Sequence, residues 1–302
     1  MERYLQRIKE IATDRKHGAR ELYHWAVENL LEWVKERGYH HPLELVPLLA
    51  ETARAQPTMA PLLNLVNRIL LAWEEGPSRA QEILEEALQE DQPSTAKVVE
   101  EGVKILKDNR IVTLSRSSTL LEVMKALLKE GKRPRVLISE GRPLMEGVAT
   151  ARHLHKMGAD VTLCTDSLIF SLMEEGDVVA LGADAITPRY LVNRCGTYPL
   201  ALVARDKGVP FYTFTDTGKI LPPALVSLFK IEDHPPQEVL EKAPFRIVNY
   251  YFDETPLDYI TAAVTEKGVL KPRDLRRLIA KTKVSPRVKE IEGYLTAHTP
   301  SL

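Results

Sequence analysis

The chain has 302 residues, 44% of them hydrophobic, with 41 basic and 42 acidic side chains and a formal charge of -1 at pH 7. That length supports one large or two ordinary domains, and that apolar content excludes a disordered chain. The balanced charge gives no excess for binding a polyanion, so direct nucleic-acid binding is not expected.

The first residues, "MERYLQRIKEIATDRKHGAREL", are charged throughout and lack the apolar core of a signal peptide. The longest apolar runs fall short of a membrane span, so no membrane partner is expected and a cytoplasmic location is the default. Cys164 and Cys195 show no metal-ligand spacing and read as reduced thiols.

Leu22, Trp25, Ala26, Leu30, Trp33 and Val34 recur at three- and four-residue spacing and predict a helix with one apolar face. Leu62, Leu65, Val66, Ile69, Leu70 and Trp73 repeat the pattern after Pro57 and Pro61. Two more amphipathic helices follow, broken near Pro93. No alternating strand pattern occurs before about Ile111, so residues 1–108 read as a helical domain.

From there strands and helices alternate. The strands are 110–115, 135–139, 160–165, 177–184, 210–215 and, closing the series, 249–256. The helices are 118–131, 143–158, 167–176 and one beginning at Thr197. The strands are nearly continuous apolar runs, as expected when both faces are covered. The expected class is α/β: a helical N-terminal domain, then a Rossmann-like parallel-sheet domain over 109–302.

In open parallel sheets ligands sit at the carboxyl ends of the strands. There the chain places Ser115-Arg116-Ser117-Ser118, Glu140 and Arg142, Asp166, Asp184, Asp216 and Lys219, and Asp253 with Thr255. Turns and helix caps explain any one of these equally well, and Thr255-Pro256-Leu257-Asp258 has a capping-box pattern. The whole ring, with Arg142, Arg194 and Lys219 beside the carboxylates, points to a site for an anion, most simply a phosphate. A carboxylate facing a phosphate is unfavourable unless it handles protons or sugar hydroxyls, which marks Asp184 for that role.

No GxGxxG follows a strand and no P-loop is present, so no nucleotide cofactor of those types is expected. His153 and His155, two apart on a helix, point to different sides, and His40-His41 reads as loop; no metal is called for. A serine hydrolase lacks its nucleophile elbow here.

The segments "TLSRSSTLLEVMKAL", "SEGRPLMEG", "DVTLCTDSLIFSLMEEGDVVALGADAI", "VNRCGTYPLALVARDKGVPFY" and "FDETPLDYITAAVTEKG" follow one another as in a known superfamily. The chain resembles the alpha, beta and delta subunits of translation initiation factor two-B. That superfamily includes methylthioribose-1-phosphate isomerase and ribose-1,5-bisphosphate isomerase. The resemblance implies a site between the two domains, a homodimer, and, in the initiation-factor branch, a larger initiation-factor complex.

In the isomerases a cysteine and an aspartate convert a 1-phosphorylated aldose to its ketose. The resemblance puts Asp184 at the aspartate and Ser115 at the cysteine, and a hydroxyl is a far weaker acid than a thiol (about 8.5 unperturbed). It implies ligand-binding roles for Arg142, Asn193, Arg194, Gly196 and Thr197. Gln56 replaces the arginine of the family's Arg-Pro-Thr, so Arg20 or Arg54 is left to supply that contact.

The resulting expectation is a regulatory protein that binds a phosphorylated sugar or nucleotide and lacks the catalytic cysteine. The alternatives are an aldose–ketose isomerase that uses Asp184 and a structural subunit of a larger complex.

Overall fold

The computed structural model describes residues 1–14, 19–37, 44–89, 91–106 and 108–298. His40 and His41 lie outside the described residues. The chain divides into two compact units: Met1–Gln92 with Gly218–Lys230 and Ile279–Leu302, and Pro93–Thr217 with Ile231–Leu278.

The first unit is built on α1 (Glu2–Thr13), α2 (Ala19–Arg37), α3 (Val46–Ala55), α4 (Ala60–Glu75) and α5 (Pro77–Gln89). In α1, Tyr4, Ile8 and Ile11 sit on one face and are buried. The apolar face read along α4 is buried throughout, and so is the face of α2 except at Trp25, which is 40% exposed. Among the described residues no helix is long and apolar enough to cross a membrane.

The second unit begins at Pro93, inside α6 (Asp91–Leu106). Val98 and Leu106 of α6 join Ile111, Val123, Ile138 and Phe214 in one buried cluster. Gly102 permits this packing: a Cβ there would stand 2.7 Å from the Val123 side chain and 2.9 Å from that of Phe214.

The main sheet holds β1 (Arg110–Thr113), β2 (Arg135–Ser139), β3 (Asp160–Cys164), β4 (Asp177–Leu181), β7 (Phe211–Phe214), β9 (Ala262–Thr265) and β10 (Gly268–Leu270). Their order is β10-β9-β7-β4-β1-β2-β3, parallel except for the hairpin of β9 with β10. Every residue of β4 is buried. Arg110 and Asp177, paired in register at the entry to β1 and β4, form an ion pair at 2.7 Å with Asp177 3% exposed.

A second, antiparallel sheet holds β5 (Ala185–Ile186), β6 (Tyr190–Arg194) and β8 (Phe252–Pro256) in the order β5-β6-β8. The segment 249–256 therefore does not close the parallel series; β8 pairs with β6, and β9 takes the sheet position beside β7. β8 carries three consecutive polar residues, Asp253, Glu254 and Thr255, and only Thr255 among its five residues is fully buried, whereas β9 is buried at all four residues, as suits a strand inside the parallel sheet.

Between the strands lie α7 (Ser118–Lys129), α8 (Glu146–Met157), α9 (Ile169–Leu172) and α10 (Thr197–Asp206). The helix expected over 167–176 shrinks to α9, because the Asp177 carboxylate accepts the Glu174 backbone N–H at 2.7 Å and fixes a turn. α8 starts at Glu146 and not near Pro143, because Asp166 accepts the backbone N–H groups of Gly141 and Arg142, both at 2.8 Å. The chain returns to the first unit through α11 (Pro223–Val226), and after α12 (Pro272–Lys281) through α13 (Val288–Ala297). There Asn67 of α4 donates to Lys283 O at 3.0 Å and accepts from Ser285 N at 2.9 Å.

Candidate functional site

The sheet order reverses between β1, which leads on to β2 and β3, and β4, which leads on to β7 and β9. A crevice is expected at the carboxyl ends of strands at such a point. One is present: an open cleft lined by Leu114 and Ser115 after β1, Ser139 of β2, Gly141 to Leu144, Glu146, Asp166, Arg194, Cys195 and Tyr251.

Ser115 is buried and has φ 61, and Met145 on the same loop as Arg142 has φ 58. These are the two non-glycine residues in the left-handed region among those described. Side chains there cost about 1 kcal/mol or more, and such strain gathers at functional sites. The turn places the Ser115 hydroxyl 2.9 Å from Glu146 Oε2, to which it donates.

Glu146 opens α8 and is brought close by the contact of that helix with β2. A Cβ on Gly147 would lie 1.7 Å from Ser139 O, so only glycine permits the approach. Arg194 Nε donates to Glu146 Oε2 at 2.7 Å and Nη2 reaches Oε1 at 2.5 Å. The same guanidinium lies 4.6 Å from the Tyr251 ring centroid and 5.2 Å from that of Phe252. Arg142, also in the lining, donates from Nη2 to Val239 O at 3.0 Å, its backbone N–H pinned by Asp166.

Cys195 donates its thiol to Tyr250 O at 3.2 Å. Cys195 is exposed at the cleft, yet desolvation of its sulfur first, then Asp253, pushes the thiol up to about 11 against the opposing pull of Arg194, so it stays protonated at neutral pH. Both cysteines are free.

The other sequence candidates fall as follows. Ser117 caps α7, its hydroxyl accepting from Leu120 N at 3.3 Å. Asn193 donates to Thr197 Oγ1 at 3.0 Å, and Thr197 donates to Arg194 O at 2.6 Å, so these two side chains shape the turn that carries Arg194. The α10 N-terminus at Gly196 is already filled: Asp253 Oδ2 accepts from Gly196 N at 2.8 Å and Tyr198 N at 3.2 Å. Burial raises the Asp253 carboxyl to about 6 in spite of those N–H bonds, and its Oδ1 has no hydrogen-bond partner.

Asp184 is half-buried at the end of β4, its backbone N–H on Val192 O at 2.9 Å, and is not among the residues lining the cleft. Arg116 is exposed, and Arg20 is exposed on α2 in the first unit. His153 and His155 are exposed on α8. Among the described residues no group of three or more His, Cys, Asp or Glu is placed to hold a metal ion.

Ser115, Arg142 and Arg194 thus meet at one cleft, joined by Glu146 and Tyr251, which the sequence did not single out. Glu146 reads along the chain as an ordinary acidic residue in a first helical turn; its neighbour Gly147 was the only local sign of a close approach.

The model of the initiation factor 2 subunit family matches residues 15–272. The ribose 1,5-bisphosphate isomerase of Methanocaldococcus jannaschii is 36% identical over 236 residues, 75% of this chain and 77% of that protein. That of Archaeoglobus fulgidus is 32% identical over 285 residues, 90% of this chain and 91% of that protein. Among solved structures, the translation initiation factor eIF-2B of Pyrococcus horikoshii superposes with a TM-score of 0.76 at 28% identity, over 91% of this chain and 99% of that one. With the switch-point cleft and these matches in hand, the chain belongs to the initiation factor 2 subunit family.

Proposed function

We propose that the cleft binds a phosphorylated sugar or nucleotide, and that the chain acts as a regulatory member of its family. The supporting observation is that Arg142 and Arg194, 52 positions apart by number, line one crevice with the strained Ser115 at the sheet's reversal point. Guanidinium groups and a hydroxyl in a small cleft suit an oxyanion attached to a polyol. The regulatory part rests on Ser115 standing where the resemblance calls for a thiol.

A second reading, aldose–ketose isomerisation, is favoured by the two relatives named ribose 1,5-bisphosphate isomerase. That reaction breaks the bond between carbon 1 and the ring oxygen as that oxygen is protonated, removes a proton from carbon 2, returns one to carbon 1 and releases the proton of the 2-hydroxyl as the ketone forms, with no net redox change. It needs a base in reach of the sugar, and Glu146 and Asp184 are the carboxylates to compare.

Calorimetric titration with ribose 1,5-bisphosphate, methylthioribose 1-phosphate and a nucleoside monophosphate tests the binding. Arg142→Ala and Arg194→Ala are each expected to weaken it by roughly tenfold or more. Unchanged affinity in both variants would remove the site. Ketose formation followed by NMR separates the two readings: turnover abolished by Asp184→Asn would overturn the regulatory one.

A further inference from the structure

Arg194 is the cation best placed to receive an anion in the cleft, and it is already engaged. Its Nε and Nη2 grip the two oxygens of Glu146 at 2.7 Å and 2.5 Å. That two-pronged fork is the one a guanidinium makes with either carboxylate or phosphate. The Ser115 hydroxyl donates to the same carboxylate at 2.9 Å. Two donors that a bound phosphate would use therefore both point at one protein side chain.

The rest of the lining does not restore the lost charge, since Arg142 and Arg194 are matched by Glu146 and Asp166. Asp166 is committed to the backbone N–H groups of Gly141 and Arg142. Arg194 is held against two aromatic rings. Glu146 is tied through side-chain bonds on a side chain with three rotatable bonds, so it is the partner that can withdraw.

We infer that Glu146 sets which ligand charge the cleft accepts: it is a resident anion on Arg194 and Ser115, which a phosphate dianion must displace but beside which the hydroxyls of an uncharged sugar can be taken up. This rests on the reading of the cleft as a sugar-phosphate site and adds a specificity-determining residue to it. A phosphate brought against an undisplaced carboxylate meets like-charge repulsion. The full affinity of the Arg194 fork is withheld until the carboxylate leaves.

The test is calorimetry on the full chain and on Glu146→Gln and Glu146→Ala, with inorganic phosphate, ribose 5-phosphate and ribose as probes. Thermal melting of each protein without ligand reports its fold. Glutamine keeps the length and an acceptor for Ser115, while alanine removes both. Both variants are expected to bind the two phosphate probes at least roughly tenfold more tightly than the parent, with no comparable gain for ribose. A purely structural role would not produce a gain that follows ligand charge. If the parent binds the phosphate probes and neither variant gains, the inference is overturned and the cleft reading stands. If none of the three proteins binds either phosphate probe, the cleft reading falls and the inference with it.

Discussion

At the scale of single residues, burial can override the local setting of a side chain. Asp253 occupies the α10 N-terminus, a place that stabilises negative charge, yet its carboxyl rises to about 6 because burial outweighs the two N–H bonds. This fixes a pH dependence. Below the ordinary value of 3.8 the carboxyl is protonated in both folded and unfolded chains, and nothing is lost. Between there and about 6 the unfolded chain ionises first, so stability falls, and above about 6 the full cost stands. Asp253→Asn does not titrate. Relative to it, the parent is expected to lose about 2–3 kcal/mol between roughly pH 4 and pH 7, measured by chemical denaturation. Parallel stability–pH curves would refute the assignment. Along the chain Asp253 reads as one more strand-end carboxylate, because burial is a property of its neighbours in space.

At the scale of elements, the cleft exists because α8 presses its first turn onto the end of β2. Gly147 makes that contact possible, its Cα lying where any Cβ would overlap Ser139 O at 1.7 Å. The clash is with backbone and cannot be relieved by a rotamer change. Gly147→Ala is therefore expected to cost more than about 2 kcal/mol and to weaken ligand binding with it, because Glu146 moves with the helix. Thermal melting and calorimetry check this, and a variant as stable as the parent would show that the contact is loose. Most strands were readable from sequence because their residues are apolar on both faces; β4 is the plainest case. The exchange of β8 and β9 was not readable, since which strand joins which sheet depends on partners such as β6 and β7 that lie up to 66 positions away, in the pairing of Tyr190 with Pro256. The shortening of α9 was hidden for a similar reason: it hangs on one carboxylate, Asp177, that belongs to the next strand.

At the scale of the whole molecule, β3 is left as a sheet edge with Leu163 44% exposed, and Phe245 and Val248 are 65% and 53% exposed. Bare edges and large exposed apolar side chains favour pairing with another chain. We propose self-association on this basis, in line with the expected homodimer. Light scattering after size exclusion is expected to give the mass of two chains, falling toward one in the double variant Leu163→Lys with Phe245→Glu; a parent that runs as a monomer would end the proposal. The boundary between the units is likewise a property of the whole. The stretches 218–230 and 279–302 rejoin the first unit although most of the second lies between them and it in the chain. By itself the sequence determined the α/β class, the order of helices and most strands, the family, and the roster of charged groups at strand ends, because these depend on local periodicity and on motifs a few residues long. Only the tertiary structure decided which of those groups share a cleft. It drew in Glu146 and Tyr251, left Asp184 outside the lining, and gave the α10 N-terminus to Asp253, because the packing of α8 on β2 and of β8 on β6 brings together atoms that no local pattern relates.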